Sequence, residues 1–226
     1  MKPSGICLSF DDAHCEVWCR ISPMLVAAGC RATFFVSGMD ALSETDWASL
    51  RALQGDGHLI GHHGMAHRRA GEVSMALDDP RRGDPVSYSD FESWIADEIT
   101  PGFELMAANG IERPRHYSYP YGNCSEESHR ALLAIFDTVR TGVKGAGTYD
   151  LRTRCNIWGA ANFGKRAKDK VCGHEPKVLG LEGTQDLVLC LYMHEPLEHR
   201  LNWLISNVKR LGLAWYTPDD ICEASK

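Results

Sequence analysis

Two adjacent carboxylates, Asp11 and Asp12, close the apolar run Ile6-Cys7-Leu8-Ser9-Phe10. Carboxylates side by side where a strand ends can divide labour: at the turn both can face one cleft, where a metal would hold one and leave the other free to move a proton. A helix N-cap and a solvated turn would show the same pair. Further on, His63 and His67 stand four apart within Gly57-His58-Leu59-Ile60-Gly61-His62-His63-Gly64-Met65-Ala66-His67. On a helical turn that spacing sets both imidazoles on one face, within reach of a single divalent ion. One carboxylate and two imidazoles leave coordination positions open for water and substrate, which suits a catalytic metal better than a structural one. Two more polar groups close apolar runs. Tyr117-Ser118-Tyr119-Pro120-Tyr121-Gly122 is an aromatic strand entering a tight turn, and Leu187-Val188-Leu189-Cys190-Leu191-Tyr192-Met193 ends in His194. The first of these is also what an ordinary core strand ended by Pro and Gly looks like.

Such groups need a scaffold that gathers strand ends, and the apolar pattern supplies one. Short runs at 6–10, 32–36, 117–121, 138–141 and 187–193 are bounded by Gly, Asp or Pro, as buried parallel strands are. Between the first two, Val17, Ile21, Met24, Leu25 and Ala28 recur at helical spacing and Gly29 ends the pattern; Leu197, Leu201, Leu204, Ile205, Val208 and Leu211 repeat it before Gly212. The spacing predicts a further helix over about 89–109, interrupted at Pro101 with Thr100 capping the second segment. Residues 68–85, rich in Asp, Arg, Gly and Pro, read as a long connecting loop. Strand and helix in alternation mean α/β with a mainly parallel sheet, and function then belongs at the C-terminal ends of the strands. With 226 residues the whole chain, 1–226, is expected to form one domain.

Composition narrows the function classes. At 44% hydrophobic and 24% charged, the chain can bury a core and is not a disordered segment. Its net charge of -6 and scattered basic residues speak against a nucleic-acid surface, and no stretch approaches the roughly 20 apolar residues of a membrane span. The nine cysteines contain no C-x-x-C pair, are odd in number, and follow no secretory leader, so they are expected to be reduced thiols of a cytoplasmic protein. Cys15 and Cys19 beside the paired aspartates read as small hydrophobes on the first helix. Nothing in the pattern speaks to oligomeric state.

In their order (SFDD, then G-H-x-I-G-x-H-x-x-x-H, then Y-P-Y-G, then an apolar strand ending in His) these segments resemble the polysaccharide deacetylases, the NodB-homology family of carbohydrate esterases. The resemblance runs from about Ile6 to about Asp220. It implies a distorted, incomplete (β/α)7-type barrel holding one Zn²⁺, or another divalent ion such as Co²⁺, that removes acetyl from an N-acetylated sugar. By the same resemblance Asp12, His63 and His67 are the metal ligands, Asp11 is the general base, Tyr121 offers its backbone N–H to the oxyanion, and His194 is the general acid.

Three departures stand out. Many members carry R-P-P-Y in the third segment, its arginine pairing with the base aspartate; here Ser118 occupies that place, as in the F-A-Y-P-Y-G subgroup. Another cation is expected to orient Asp11, and Arg154 is the first candidate, ahead of Arg140. The Asp-Trp element that tunes the acidic His has no counterpart, Asp150 and Trp158 being near but differently arranged. His14 and His62 flank the site without an assigned role. Rival readings are a hydrolase of another C–N bond, such as that of a cyclic amide, and a silent metal- or carbohydrate-binding protein. Intact base and acid argue against the second. With no export leader and an odd set of thiols, the expected substrate is a small or lipid-linked N-acetyl compound rather than a finished polymer, its identity set by loops 68–85 and 144–152.

Overall fold

A computed structural model describes residues 1–70, 88–142, 147–153, 155–163 and 174–223. Seven parallel strands form the scaffold: β1 (Gly5–Asp12), β2 (Thr33–Val36), β3 (Leu59–His62), β4 (His116–Ser118), β5 (Thr138–Gly142), β7 (Ile157–Asn162) and β8 (Leu187–Met193). They neighbour one another in that order, and β8 returns to pair with β1 from Gly5↔Val188 to Phe10↔Met193, closing the ring. This is the expected distorted (β/α) barrel, with seven strands. Its distortion is visible in the ladders, since β3 and β4 share only His62↔Tyr117. Two short strands fill the lower half of gaps where neighbours diverge: β6 (Thr148–Asp150) runs antiparallel to the start of β8, and β9 (Ala214–Tyr216) lies against the start of β1.

Alternation along these strands sorts the core into two layers. Ile6, Leu8 and Phe10 of β1, Phe34 and Val36 of β2, and Leu189, Leu191 and Met193 of β8 pack in one cluster with Trp18, Leu25, Leu50, Leu53, Leu201 and Leu204 from the outer helices. Those helices are α1 (Cys15–Ala27), α2 (Glu44–Gly55) and α7 (Glu198–Arg210). The opposite faces supply Cys7, Phe35, Trp158, Ala160, Val188 and Cys190 to the barrel interior. Gly61 on β3 is needed there, because a Cβ at that position would stand 2.4 Å from the Phe35 ring. By the same alternation Asp11 shares the inner face with Cys7, and Arg140 projects inward over Phe35. The strands thus raise two opposite charges from an apolar barrel floor.

Helix boundaries follow local chemistry. Gly29, at φ 69, and Gly212, at φ 64, stand just after α1 and α7 as expected. Ser43 begins α2 with a reciprocal capping box to Asp46. The helix expected over 89–109 is two helices, α3 (Phe91–Glu98) and α4 (Thr100–Ala108). Asp90 caps the first, accepting from Ser93 N at 2.8 Å. The break falls at Ile99, one residue before the expected cap, and Thr100 is already helical, with Pro101 in the first turn where its missing N–H costs nothing. Two smaller helices, α5 (Glu126–Leu133) and α6 (Glu175–Leu179), and a final α8 (Pro218–Glu223) complete the outer layer. Of loops 68–85 and 144–152, residues 71–85 and 144–146 lie outside the described residues. Among the described residues no helix is long and apolar enough to cross a membrane.

His58, just before β3, ties the helix layer to the barrel. Its Nδ1 accepts from Ala32 N at 3.1 Å, so Nε2 carries the proton and donates to Ser22 Oγ at 3.0 Å; Ser22 in turn donates to Asp56 at 2.5 Å. Burial lowers the His58 pKa from its ordinary value, against the opposing pull of Asp56. Protonation would also set a new N–H against that of Ala32. Because the unfolded chain then binds the proton more readily, stability is full above pH 6.5 and declines as pH falls below it. The melting temperature of the metal-free protein is expected to fall on acidification from pH 7 to pH 5, and His58→Gln should reduce that slope. An unchanged slope in the variant would show that this group is not the one responsible.

Candidate metal centre

Strand ends bring the chemistry together at the C-terminal mouth of the barrel. Asp11 and Asp12 end β1, His62 ends β3 and His63 follows it, Tyr119 and Tyr121 follow β4, Arg140 is on β5, and Tyr192 and His194 are at the end of β8. A cleft of about 120 Å³ opens there, and its walls include Asp11, Asp12, His63, His67, Tyr121 and His194, all six of the non-arginine residues expected from the sequence to act.

Asp12, His63 and His67 place one ligand atom each within 4.8 Å of the others. Asp12 Oδ1 lies 3.2 Å from His67 Nε2 and 3.7 Å from His63 Nε2, and the two imidazole nitrogens are 3.2 Å apart. His63 Nδ1 faces the Ser118 carbonyl at 2.7 Å. A carbonyl only accepts, so Nδ1 carries the proton and Nε2 presents a lone pair to the other two ligands. Burial pushes the His63 pKa down to about 4, with Asp11 pulling the other way, so the ring is neutral near pH 7 as a metal ligand must be. Burial alone would raise the Asp12 carboxyl; the His67 hydrogen bond and the adjacent imidazoles outweigh it and hold the group well below the usual carboxylate range. Three donors of this chemistry, convergent on one point, fit a divalent ion with open positions towards the cleft.

The backbone that achieves this is bent. Among the described residues only Asp12 (φ 82), His67 (φ 62), Tyr121 (φ 59) and Asp186 (φ 60) are non-glycines at positive φ, and the first three belong to this cleft. Each costs on the order of 1–3 kcal/mol, so their clustering marks the place where geometry outranks local ease. At Asp12 the turn matters most: strand alternation would send its side chain outward, away from Asp11, and the left-handed residue brings it back over the mouth. His67 also corrects an expectation. His63 and His67 do not share a helical turn; they bracket a loop after β3, and the left-handed backbone at His67 returns its ring to within 4.7 Å of His63, centroid to centroid.

Asp11 is buried, and its Oδ2 accepts from Arg140 Nη2 at 2.5 Å. Arg140 also donates to Ser118 Oγ and lies 4.6 Å from the Tyr192 ring centroid. Thus the cation that meets Asp11 is the second-ranked Arg140, rising from β5 beside Ser118; Arg154 lies outside the described residues. The signal was present in the sequence, since a charged residue within a short buried strand needs a partner. Asp11 Oδ1 is buried and, among the described residues, has no hydrogen-bond partner.

The remaining groups fall into place around this centre. His194 is exposed on the cleft wall directly after β8, whose Met193 pairs with Phe10 of β1, its ring 5.5 Å from that of Tyr192 and its carbonyl accepting from Trp18 Nε1 at 3.3 Å. Among the described residues no carboxylate forms an ion pair with its ring. Trp158 donates to Thr138 Oγ1 inside the barrel, and Asp150 pairs with Arg152, so neither takes the missing tuning role. Tyr121 is half-exposed, its ring between those of His67 and the Arg69 guanidinium. His62 is fully buried and accepts at 3.0 Å from Gly64 N, in the loop between the two histidine ligands. His14 precedes α1 and meets the Trp18 ring edge-on.

Comparison with known proteins extends this reading. The sequence family described as "Polysaccharide deacetylase" matches residues 1–135 of the chain. No curated protein matches it. Among solved structures, the chain is similar to the chitin deacetylase from Colletotrichum lindemuthianum, with a TM-score of 0.65, 18% identity, and 98% of this chain and 88% of that one covered. It is similar to a family 4 acetyl xylan esterase from Clostridium thermocellum in complex with a cobalt ion (TM-score 0.62, 16% identity, 96% and 89% covered). A family 4 carbohydrate esterase from Bacillus anthracis gives 0.61, 17%, 99% and 84%. At these identities the structural likeness establishes the shared barrel.

Proposed function

We propose that this chain, which belongs to the polysaccharide deacetylase family, is a metal-dependent hydrolase removing acetyl from an N-acetylated sugar or sugar-containing compound. The observation that carries this is the convergence of Asp12, His63 and His67 in a cleft beside the unpaired oxygen of Asp11. A Zn²⁺ or Co²⁺ ion held by these three would polarise the acetyl carbonyl and lower the pKa of the attacking water. Cobalt accompanies the acetyl xylan esterase of the same fold, which supports a divalent ion here.

The chain's own groups divide the remaining work. Asp11 Oδ1 accepts the proton of the attacking water, while Arg140 holds Oδ2 and keeps the carboxylate aimed. Tyr121, presented by its strained turn, donates its backbone N–H to the developing oxyanion, a contribution of about 3 kcal/mol for one well-placed donor. His194, in the wall of the same cleft, delivers a proton to the departing nitrogen, without which an amine cannot leave. A reducing, cytoplasmic setting and a small or lipid-linked substrate belong to the same proposal, supported by buried, free Cys7, Cys15, Cys30 and Cys190.

With added Zn²⁺ or Co²⁺ the protein is expected to release acetate from at least one of N-acetylglucosamine oligomers, nucleotide sugars or glycolipid precursors. Asp12→Ala should carry close to one metal equivalent less and release none. Equal metal content in the two chains would sink the site. Metal bound without acetate release, together with ring opening of a cyclic ureide, would move the reaction to a different C–N bond.

A further inference from the structure

The loop joining the two histidine ligands has little regular structure of its own, yet nearly every backbone donor in it is accounted for. His63 N donates to Val36 O on β2 at 2.9 Å, and Gly64 N to His62 Nδ1. The next donors converge on one residue. Met65 N meets the Glu98 carbonyl at 2.7 Å, Ala66 N lies 3.2 Å from both Glu98 carboxylate oxygens, and Arg68 N donates to Glu98 Oε2 at 3.1 Å. Arg68 adds its guanidinium 3.5 Å from Oε1. Glu98 ends α3 and is completely buried.

A carboxylate removed from water on this scale is retained only where several donors replace its hydration. Here those donors are the peptides on both sides of His67, the ligand at φ 62. Gly64 completes the fit, because at φ 79 a Cβ would stand 2.8 Å from Glu98 Oε2. We propose that Glu98 is the positioning residue of the metal centre: it holds the 64–68 loop in its ligating shape before any ion arrives, and so sets the affinity of the Asp12–His63–His67 site. Without it, the cost of ordering the loop and the left-handed His67 falls on metal binding itself. This rests on the metal reading of the cleft and adds a residue outside the ligand set.

Zinc affinity, measured by competition with a chromogenic chelator at 25 °C, is expected to weaken by roughly 100-fold in Glu98→Ala and roughly 10-fold in Glu98→Gln, which keeps volume and one acceptor oxygen. The visible spectrum of the Co²⁺-loaded variants should shift, which a general loss of stability would not produce. Folded variants binding zinc within about threefold of wild type would overturn the role of Glu98, whereas a wild type that binds no zinc would overturn the centre itself. Amide exchange on the metal-free wild type decides the matter even where a variant does not fold. Ala66 and Arg68 should be strongly protected, and exchange at the rate of open peptides would end the proposal.

Discussion

Asp11→Asn is expected to keep the wild-type metal content and to lose roughly 10²- to 10⁴-fold in acetate release, the range ordinarily supplied by a positioned general base. The substitution is nearly isosteric at a buried site. Its carbonyl oxygen can still accept from Arg140, as Oδ2 does now at 2.5 Å, and the amide nitrogen then occupies the place of the unpaired Oδ1. An amide nitrogen there donates and cannot take a proton from water. The metal is unaffected in this account, because Asp12 and the two imidazoles form the ligand set without Asp11. Metal analysis and initial-rate measurement on the same preparation check both halves. A variant that keeps its metal and its full turnover removes Asp11 from the mechanism.

Arg140→Met should be the most destabilising of the changes at this site. The guanidinium and Asp11 are both almost wholly buried, with side-chain exposures of 2% and 4%. Removing one partner leaves the other as an uncompensated charge, a loss of about 3–5 kcal/mol. For a chain of this size that lowers the melting temperature by on the order of 10 °C. Ser118 Oγ loses its donor as well. The double variant Asp11→Asn/Arg140→Met removes both charges, and its melting temperature is expected to lie above that of Arg140→Met alone. A double-mutant cycle by thermal denaturation reads the coupling directly. Strict additivity of the two changes would show that the pair does not interact in solution as its geometry indicates. Arg140→Lys is not a safe substitute, since a point-like ammonium cannot reach Asp11 and Ser118 together while lying flat against Tyr192.

The barrel was legible because its strands are buried on both faces and read as short apolar runs; β1, β2, β5 and β8 lie close to where the pattern places them. Strands β7 and β9 were not. β7 contains Gly159, Ala160 and Ala161, weak in β propensity, and β9 spans three residues, so pairing partners rather than local preference create them. The α3–α4 break was visible through Pro101, but its position depended on Ile99, where backbone conformation departs from the regular helix. Glu98 had no signal of its own. At a helix end a glutamate reads as surface, and its burial exists only because a loop thirty positions earlier in the chain, counted from Arg68, folds over it.

For the site itself, chemistry and order were settled by the chain alone. Asp11-Asp12, His63 with His67, Tyr121 and His194 each follow an apolar run, and in a parallel α/β arrangement every such run ends at the same mouth, so their convergence follows from the direction of the strands. What the tertiary structure decided was orientation. Asp12 turns inward only through a left-handed backbone at φ 82, His67 returns to His63 only through another at φ 62, and Arg140 rather than a residue elsewhere in the chain faces Asp11 because both lie on the inner side of a closed barrel. Periodicity reports which face a regular strand or helix presents. It is silent where the backbone leaves the regular regions, and those departures persist only because packing and hydrogen bonds from distant segments over-determine them.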